Sequence, residues 1–106
     1  MQARWARPVL FTEVGYASTP HGPASWDAPT PPPGPTPSPA ADPAVQAAAY
    51  NALIATWADV PWFAGFYAWQ WYPIPGAGGP HDPTMLLNDK PTVLDTLQAG
   101  FVLLRR

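Results

Sequence analysis

The sequence predicts an α/β fold laid out as strand, loop, helix, strand, loop, helix. Three observations carry this reading. Residues 8–13 form a near-continuous apolar run, the pattern of a parallel strand buried on both faces. Residues 62–71 form a second, aromatic-rich run with period-two order. After each, beyond a loop, apolar residues recur every three or four positions, the period of a helix. Strand, helix, strand at this separation makes a right-handed parallel crossover.

Residues 1–7 read as the tail of an element in which Ala3, Trp5 and Arg7 alternate weakly. Pro8 starts the first strand, where its missing N–H does least harm. By period two, Val9, Phe11 and Glu13 share one face and Leu10, Thr12 and Val14 the other. Glu13 closes its row, is the only glutamate in the chain, and precedes Gly15, where the backbone is expected to turn. Residues 17–44 form a long loop insertion without helical or strand period. Its proline-rich part, 29–39, excludes a helix or central strand and favours polyproline II. A loop of this length is a flexible insertion or an ordered lid, and the composition favours the insertion.

Asp42-Pro43 is a helix start, with Asp as N-cap and Pro in the first turn. The helix is predicted over 43–59, with Val45, Ala49, Leu53 and Trp57 as its stripe, widened by Tyr50 and Ile54 and stopped by Pro61. In the second strand, 62–71, Gly65, Tyr67, Trp69 and Trp71 share one face and Phe66, Ala68 and Gln70 the other. Residues 72–83 form a Gly/Pro-rich loop on the same side of the sheet as Glu13. Asp89 is expected to cap a last helix with Val93, Leu97, Phe101 and Leu104 on one stripe. Arg105 and Arg106 then lie favourably near its negative end.

Composition narrows the function. A chain of 106 residues is one domain at most, and its net charge of −2 offers no basic field for nucleic acid or an anionic membrane. With no cysteine there is neither a disulfide framework nor a thiolate metal site. No signal peptide or membrane-spanning run stands in the sequence, which leaves localisation open. Six tryptophans fit a carbohydrate cleft and also fit aromatic packing. His21 and His81, with Asp82 beside the latter, have no helical spacing and no third ligand, so no metal is expected. No cofactor is expected either: Gly76, Gly78 and Gly79 lead to Pro80 rather than into a helix start. No nucleophilic Ser or Cys elbow is present.

Phe11-Thr12-Glu13-Val14-Gly15-Tyr16 resembles the strand-seven signature of glycoside hydrolase family 113. These are β-mannanase-like enzymes in the clan of retaining glycosidases built on the (β/α)8 TIM barrel. Gln46 to Tyr50 is similar to the start of that family's seventh helix. Gly65-Phe66-Tyr67-Ala68-Trp69-Gln70-Trp71 is similar to its eighth strand, and Lys90-Pro91 to the start of its last helix. The likeness covers nearly the whole chain apart from the proline-rich stretch; the Thr-Glu-Val-Gly-Tyr motif is its most specific part.

The resemblance implies that 1–106 is a single partial domain: strands seven and eight, with their helices, of a barrel that typically needs roughly 250 residues. It implies that Glu13 is the catalytic nucleophile and that the substrate is a β-1,4-linked polysaccharide or oligosaccharide. Retaining glycosidases need a second carboxyl group. In the family this is a Glu at the end of strand four, and no counterpart exists here. Asp42 and Asp89 read as caps, Asp59 and Asp95 as helical, and Asp27 and Asp82 as loop residues, so none replaces it. The chain alone is therefore expected to be inactive and to require the remainder of the barrel.

Trp69 and Trp71 are the expected sugar platforms, because sugar C–H patches stack on flat aromatic faces. Trp69 is favoured for the sugar under attack; the alternative is that one of the pair fills the barrel interior. Tyr16 and Trp26, in the loop after Glu13, are expected to add contacts.

Two other readings stand beside the enzyme fragment: a non-catalytic carbohydrate-binding remnant, and an interaction protein organised around 29–39. A bare sheet face carrying Phe11, Tyr67 and Trp69, with open strand edges, also predicts self-association of the lone chain.

Overall fold

The computed structural model describes residues 2–24 and 40–105. Its elements are a one-turn helix α1 (Gln2–Trp5), strand β1 (Val9–Val14), a short 3-10 turn (Gly22–Ala24), helix α2 (Pro43–Trp57), strand β2 (Phe63–Ala68) and helix α3 (Pro91–Leu104). The two strands pair in parallel, with Val9 opposite Phe63, Leu10 opposite Gly65, Phe11 opposite Phe66 and Val14 opposite Ala68. The predicted order of strands and helices is therefore present as a β-α-β-α unit: a two-stranded sheet with a layer of helices.

The core lies between sheet and helices. Tyr50 and Ile54 of α2, Phe66 of β2, Leu87 of the second loop, and Val93 and Leu97 of α3 are buried together. Phe11, Val14, Phe63 and Leu53 pack on its margin. Helices α2 and α3 meet closely at Gly100, where any Cβ would run into Ile54. The side chain of Asp42 caps α2, accepting from Val45 N at 3.4 Å. Among the described residues no helix is long and apolar enough to cross a membrane.

Several expectations are corrected. Residues 2–5 form a helical turn, not an extended tail, and the Arg4 guanidinium lies 5.1 Å over the Trp5 ring. Helix α2 ends at Trp57, so Asp59 lies in the turn beyond it. Its buried line is Gln46, Tyr50 and Ile54 with Ala47, while Val45, Ala49, Leu53 and Trp57 flank it half-buried. The apolar stripe pointed one position away because a polar residue, Gln46, takes a core place.

The second strand ends at Ala68, not at 71. Beyond the Trp69 N to Val14 O bond (2.7 Å) there is no more β1 to pair with, and Gln70 bonds to Met85 and Leu87 instead. Trp69 and Trp71 therefore follow the strand rather than sharing its face. Asp89 does not cap α3. It has φ +54°, a left-handed turn that Asp tolerates better than most residues, and Lys90 takes the N-cap position with extended φ −115°.

The face assignments also change. Phe11 sits on the helix side, its ring 5.2 Å from Trp57 and 5.0 Å from Phe63. Leu10 and Tyr67 are the exposed pair, 44% and 65% accessible. The ladder is irregular between Phe11 and Val14, which breaks strict alternation just where Glu13 stands. Finally, the described ends of the 17–44 loop are joined: Asp42 N donates to Ser18 O at 2.6 Å. Residues 29–39 lie outside the described residues.

Candidate functional site at the strand ends

Both strands deliver their C-terminal ends to one side of the molecule. Glu13 is exposed there, in the irregular step of β1. One residue later the Val14 carbonyl accepts from Trp69 N. Neighbouring strands run about 4.8 Å apart, so the backbones of Glu13 and Trp69 are close neighbours. Trp69 itself is 45% exposed.

Tyr50 fixes this end of the sheet from below. Its hydroxyl, carried up from α2, lies 3.0 Å from Val14 O and 3.3 Å from Trp69 O, so one buried O–H serves the last carbonyl of β1 and the first carbonyl beyond β2. Burial pushes the Tyr50 phenol far above its ordinary value, with the neighbouring Tyr16 adding to the rise. Burial also raises Tyr16.

Gly15 has a different task from the turn predicted for it. Its φ is not in the left-handed region. A Cβ there would lie 2.9 Å from Met85 Sδ, 3.0 Å from Trp69 O and 3.3 Å from Trp69 Cδ1. The missing side chain is what lets Trp69 and Met85 close on the strand end beside Glu13.

The other predicted contacts are distributed differently. Tyr16 is half-buried and packs edge-on against Tyr50, ring centres 5.0 Å apart, as part of the core margin. Trp71 is exposed and lines an apolar groove of about 770 Å³ between β2 and α3, with Tyr67, Leu97 and Phe101 among its walls. Glu13 and Trp69 are thus neighbours on the backbone, whereas Trp71 borders another surface. Trp26 and Asp27 lie outside the described residues. His21 and His81 are exposed, and among the described residues no three His, Asp or Glu side chains could hold a metal ion.

The sequence reading missed the polar cluster under these loops. Lys90 is fully buried, and its ammonium reaches Asp82 Oδ2 at 3.0 Å, Ser18 Oγ at 2.8 Å and Thr84 O at 3.0 Å. The Ser18 hydroxyl donates to Gln46 Oε1, and Gln46 Nε2 donates to Met85 O at 3.2 Å. Burial draws the Lys90 ammonium below the ordinary lysine value, while the bond and charge of Asp82 act in the opposite sense. Asp82, in the loop after β2, is thereby held in an ion pair and by the Thr84 hydroxyl at 2.7 Å. No sequence pattern signals this cluster: its members are ordinary loop and helix residues 72 positions apart at the extreme.

No protein-family model matches this chain, and neither does any curated protein or solved structure. The likeness of 11–16 to the mannanase-like signature rests on those residues alone.

Chemically, the described strand ends present an exposed carboxyl group, Glu13, and a partly exposed indole, Trp69, one residue from each other across the paired backbones. A carboxylate so placed can attack an anomeric carbon, and an indole can hold the sugar ring by its C–H face. General acid help for the leaving oxygen needs a second carboxyl group about 5–5.5 Å from the first. Among the described aspartates, Asp82 is tied to Lys90 and Asp42 caps a helix.

Proposed function

We propose that this chain supplies the nucleophile end of a retaining glycosidase cleft, β-mannanase-like, with Glu13 as the attacking carboxylate and Trp69 as the platform for the sugar under attack. The observation that carries the reading is the junction of the parallel strands: exposed Glu13 at the end of β1, with exposed Trp69 bonded across to Val14 and seated on Gly15. The ends of parallel strands are where α/β barrels place their chemistry. The open strands and the exposed Leu10 and Tyr67 are in keeping with a sheet continued by further β/α units.

In this proposal Glu13 attacks the anomeric carbon and forms a covalent glycosyl ester. The acid that protonates the departing oxygen, and later deprotonates water, comes from outside this chain. The chain alone therefore binds β-1,4-linked sugar without cleaving it. Incubation with soluble mannan is expected to release no reducing ends; release that disappears in Glu13→Gln would contradict the missing-acid assignment. In a barrel completed with the remaining β/α units, Glu13→Gln is expected to abolish turnover. Turnover retained there would overturn the nucleophile assignment.

A further inference from the structure

The buried polar cluster takes no part in the proposed chemistry, yet it is wired to the aromatic residue that does. Lys90 stands at the start of α3 and fastens Ser18 of the first loop to Asp82 and Thr84 of the second. Ser18 N adds bonds to Pro83 O (3.0 Å) and Thr84 O (3.2 Å). The next residue, Met85, receives Gln46 Nε2 and Gln70 N on its carbonyl, at 3.2 and 3.3 Å. Leu87 N returns to Gln70 O at 3.0 Å. The Met85 thioether lies against Gly15, on which Trp69 is seated. Residues 83–87 thus form a brace whose inner side is held by Lys90 and whose outer side grips the residue after Trp69.

We infer that Lys90 is a positioning residue for Trp69, acting through Thr84, Met85 and Gln70. The ammonium has three acceptors around it, and among the described residues every buried side-chain polar atom has a partner. A buried polar network with all members satisfied fixes one arrangement, and removal of a shared donor takes a bond from several acceptors at once. Ser18 Oγ, Thr84 O and Asp82 Oδ2 would each lose the Lys90 bond, and Asp82 its counter-charge, which loosens the brace and with it the seat of Trp69. What Trp69 does in this inference rests on the proposed sugar site; where Trp69 stands does not.

The test is spectroscopic and uses the whole chain. The Trp69 contribution to the near-ultraviolet circular dichroism is the difference between the chain and its Trp69→Phe variant. It is measured in the wild-type and Lys90→Met backgrounds, under conditions where far-ultraviolet dichroism shows both folded. The expected result is loss of the Trp69 band in the Lys90→Met background, accompanied by weaker binding of mannohexaose. A Trp69 band unchanged in Lys90→Met, even with a lowered urea midpoint, would overturn the inference and leave Lys90 a stabilising residue only. Should Lys90→Met not fold, Ser18→Ala, which leaves the Lys90–Asp82 pair in place, carries the same comparison. A partial loss of the band supports the inference; an unchanged band contradicts it. If the wild-type chain binds no mannohexaose while the band still depends on Lys90, the sugar reading fails and the positioning role stands.

Discussion

Two regions a few residues apart in this molecule reverse the usual placement of side chains. Under the loops, Lys90, Gln46 and Ser18 are buried, while along the strand ends and sheet face Tyr67, Trp69, Trp71 and Tyr72 stand in water. Buried polar groups and exposed aromatic surface are the placements that carry information, because ordinary folding produces neither for free. The buried region is complete: its donors and acceptors find one another and nothing further is called for. The exposed region is open: among the described residues it presents the Glu13 carboxyl group, aromatic side chains and a sheet of two strands. The contrast assigns stability to the first region and leaves the second to the proposed sugar binding, and substitutions should separate them.

The largest effect is expected at Asp82. Asp82→Ala leaves the Lys90 ammonium buried without a counter-charge, which costs about 3–5 kcal/mol, a large part of the roughly 5–15 kcal/mol that holds a domain together. Urea denaturation should show a collapsed midpoint, and a loss under about 1 kcal/mol would mean that the ion pair is not what closes the loops.

Gly15→Ala comes next. The new methyl meets Met85 Sδ and the Trp69 carbonyl, and backbone cannot yield as a side-chain tip does, so about 1–3 kcal/mol is expected with a shifted Trp69 emission. An unperturbed spectrum would show that the junction is slack.

Tyr50→Phe should cost about 1–2 kcal/mol by removing the buried O–H shared by the Val14 and Trp69 carbonyls, of which Val14 O keeps its bond from Trp69 N. It also has a pH signature. The folded Tyr50 phenol keeps its proton well above 10.0, where the unfolded chain loses it. Stability is therefore present below pH 10 and falls as pH climbs beyond it. Lys90 acts oppositely: with its folded value below 10.5, stability rises with pH up to that point. Urea midpoints between pH 10.5 and 11.5 should drop more steeply in the wild type than in Tyr50→Phe; equal slopes would remove Tyr50 from the alkaline transition.

The smallest effects on stability belong to the open region. Tyr67→Ser and Trp71→Ala should each change unfolding free energy by no more than about 0.5 kcal/mol. Size-exclusion chromatography should nevertheless show less self-association than in the wild type. A wild-type chain that elutes as a clean monomer would mean that the exposed face is not sticky.

The strands, both long helices and their parallel order were legible because periodicity and proline report them directly. Asp42-Pro43 signals a helix start by local chemistry alone. Of the buried line of α2, Tyr50 and Ile54 were legible as part of the apolar stripe, but Gln46 was not, since it is polar and its partners, Ser18 and Met85, are remote in sequence. The Asp89 cap failed for a backbone reason: a left-handed residue cannot fill the N-cap role that its side chain suits. At the strand ends, the exposure of Glu13 and of Trp69 could be anticipated. The true task of Gly15 could not, because close approach depends on Met85, 70 positions onward. The split between Trp69 and Trp71 was hidden too, since it follows from where β1 runs out.

The most direct measurement of the central claim is a titration of the chain with mannohexaose, followed by the indole N–H resonances of its tryptophans. Trp57 and Trp62 belong to the packed region, with ring centres 5.5 Å apart, and Trp69 belongs to the open one. The Trp69 signal is expected to move in proportion to bound sugar while those of Trp57 and Trp62 stay in place. A Trp69 signal that does not move, or three signals that move together, would contradict a sugar platform beside Glu13.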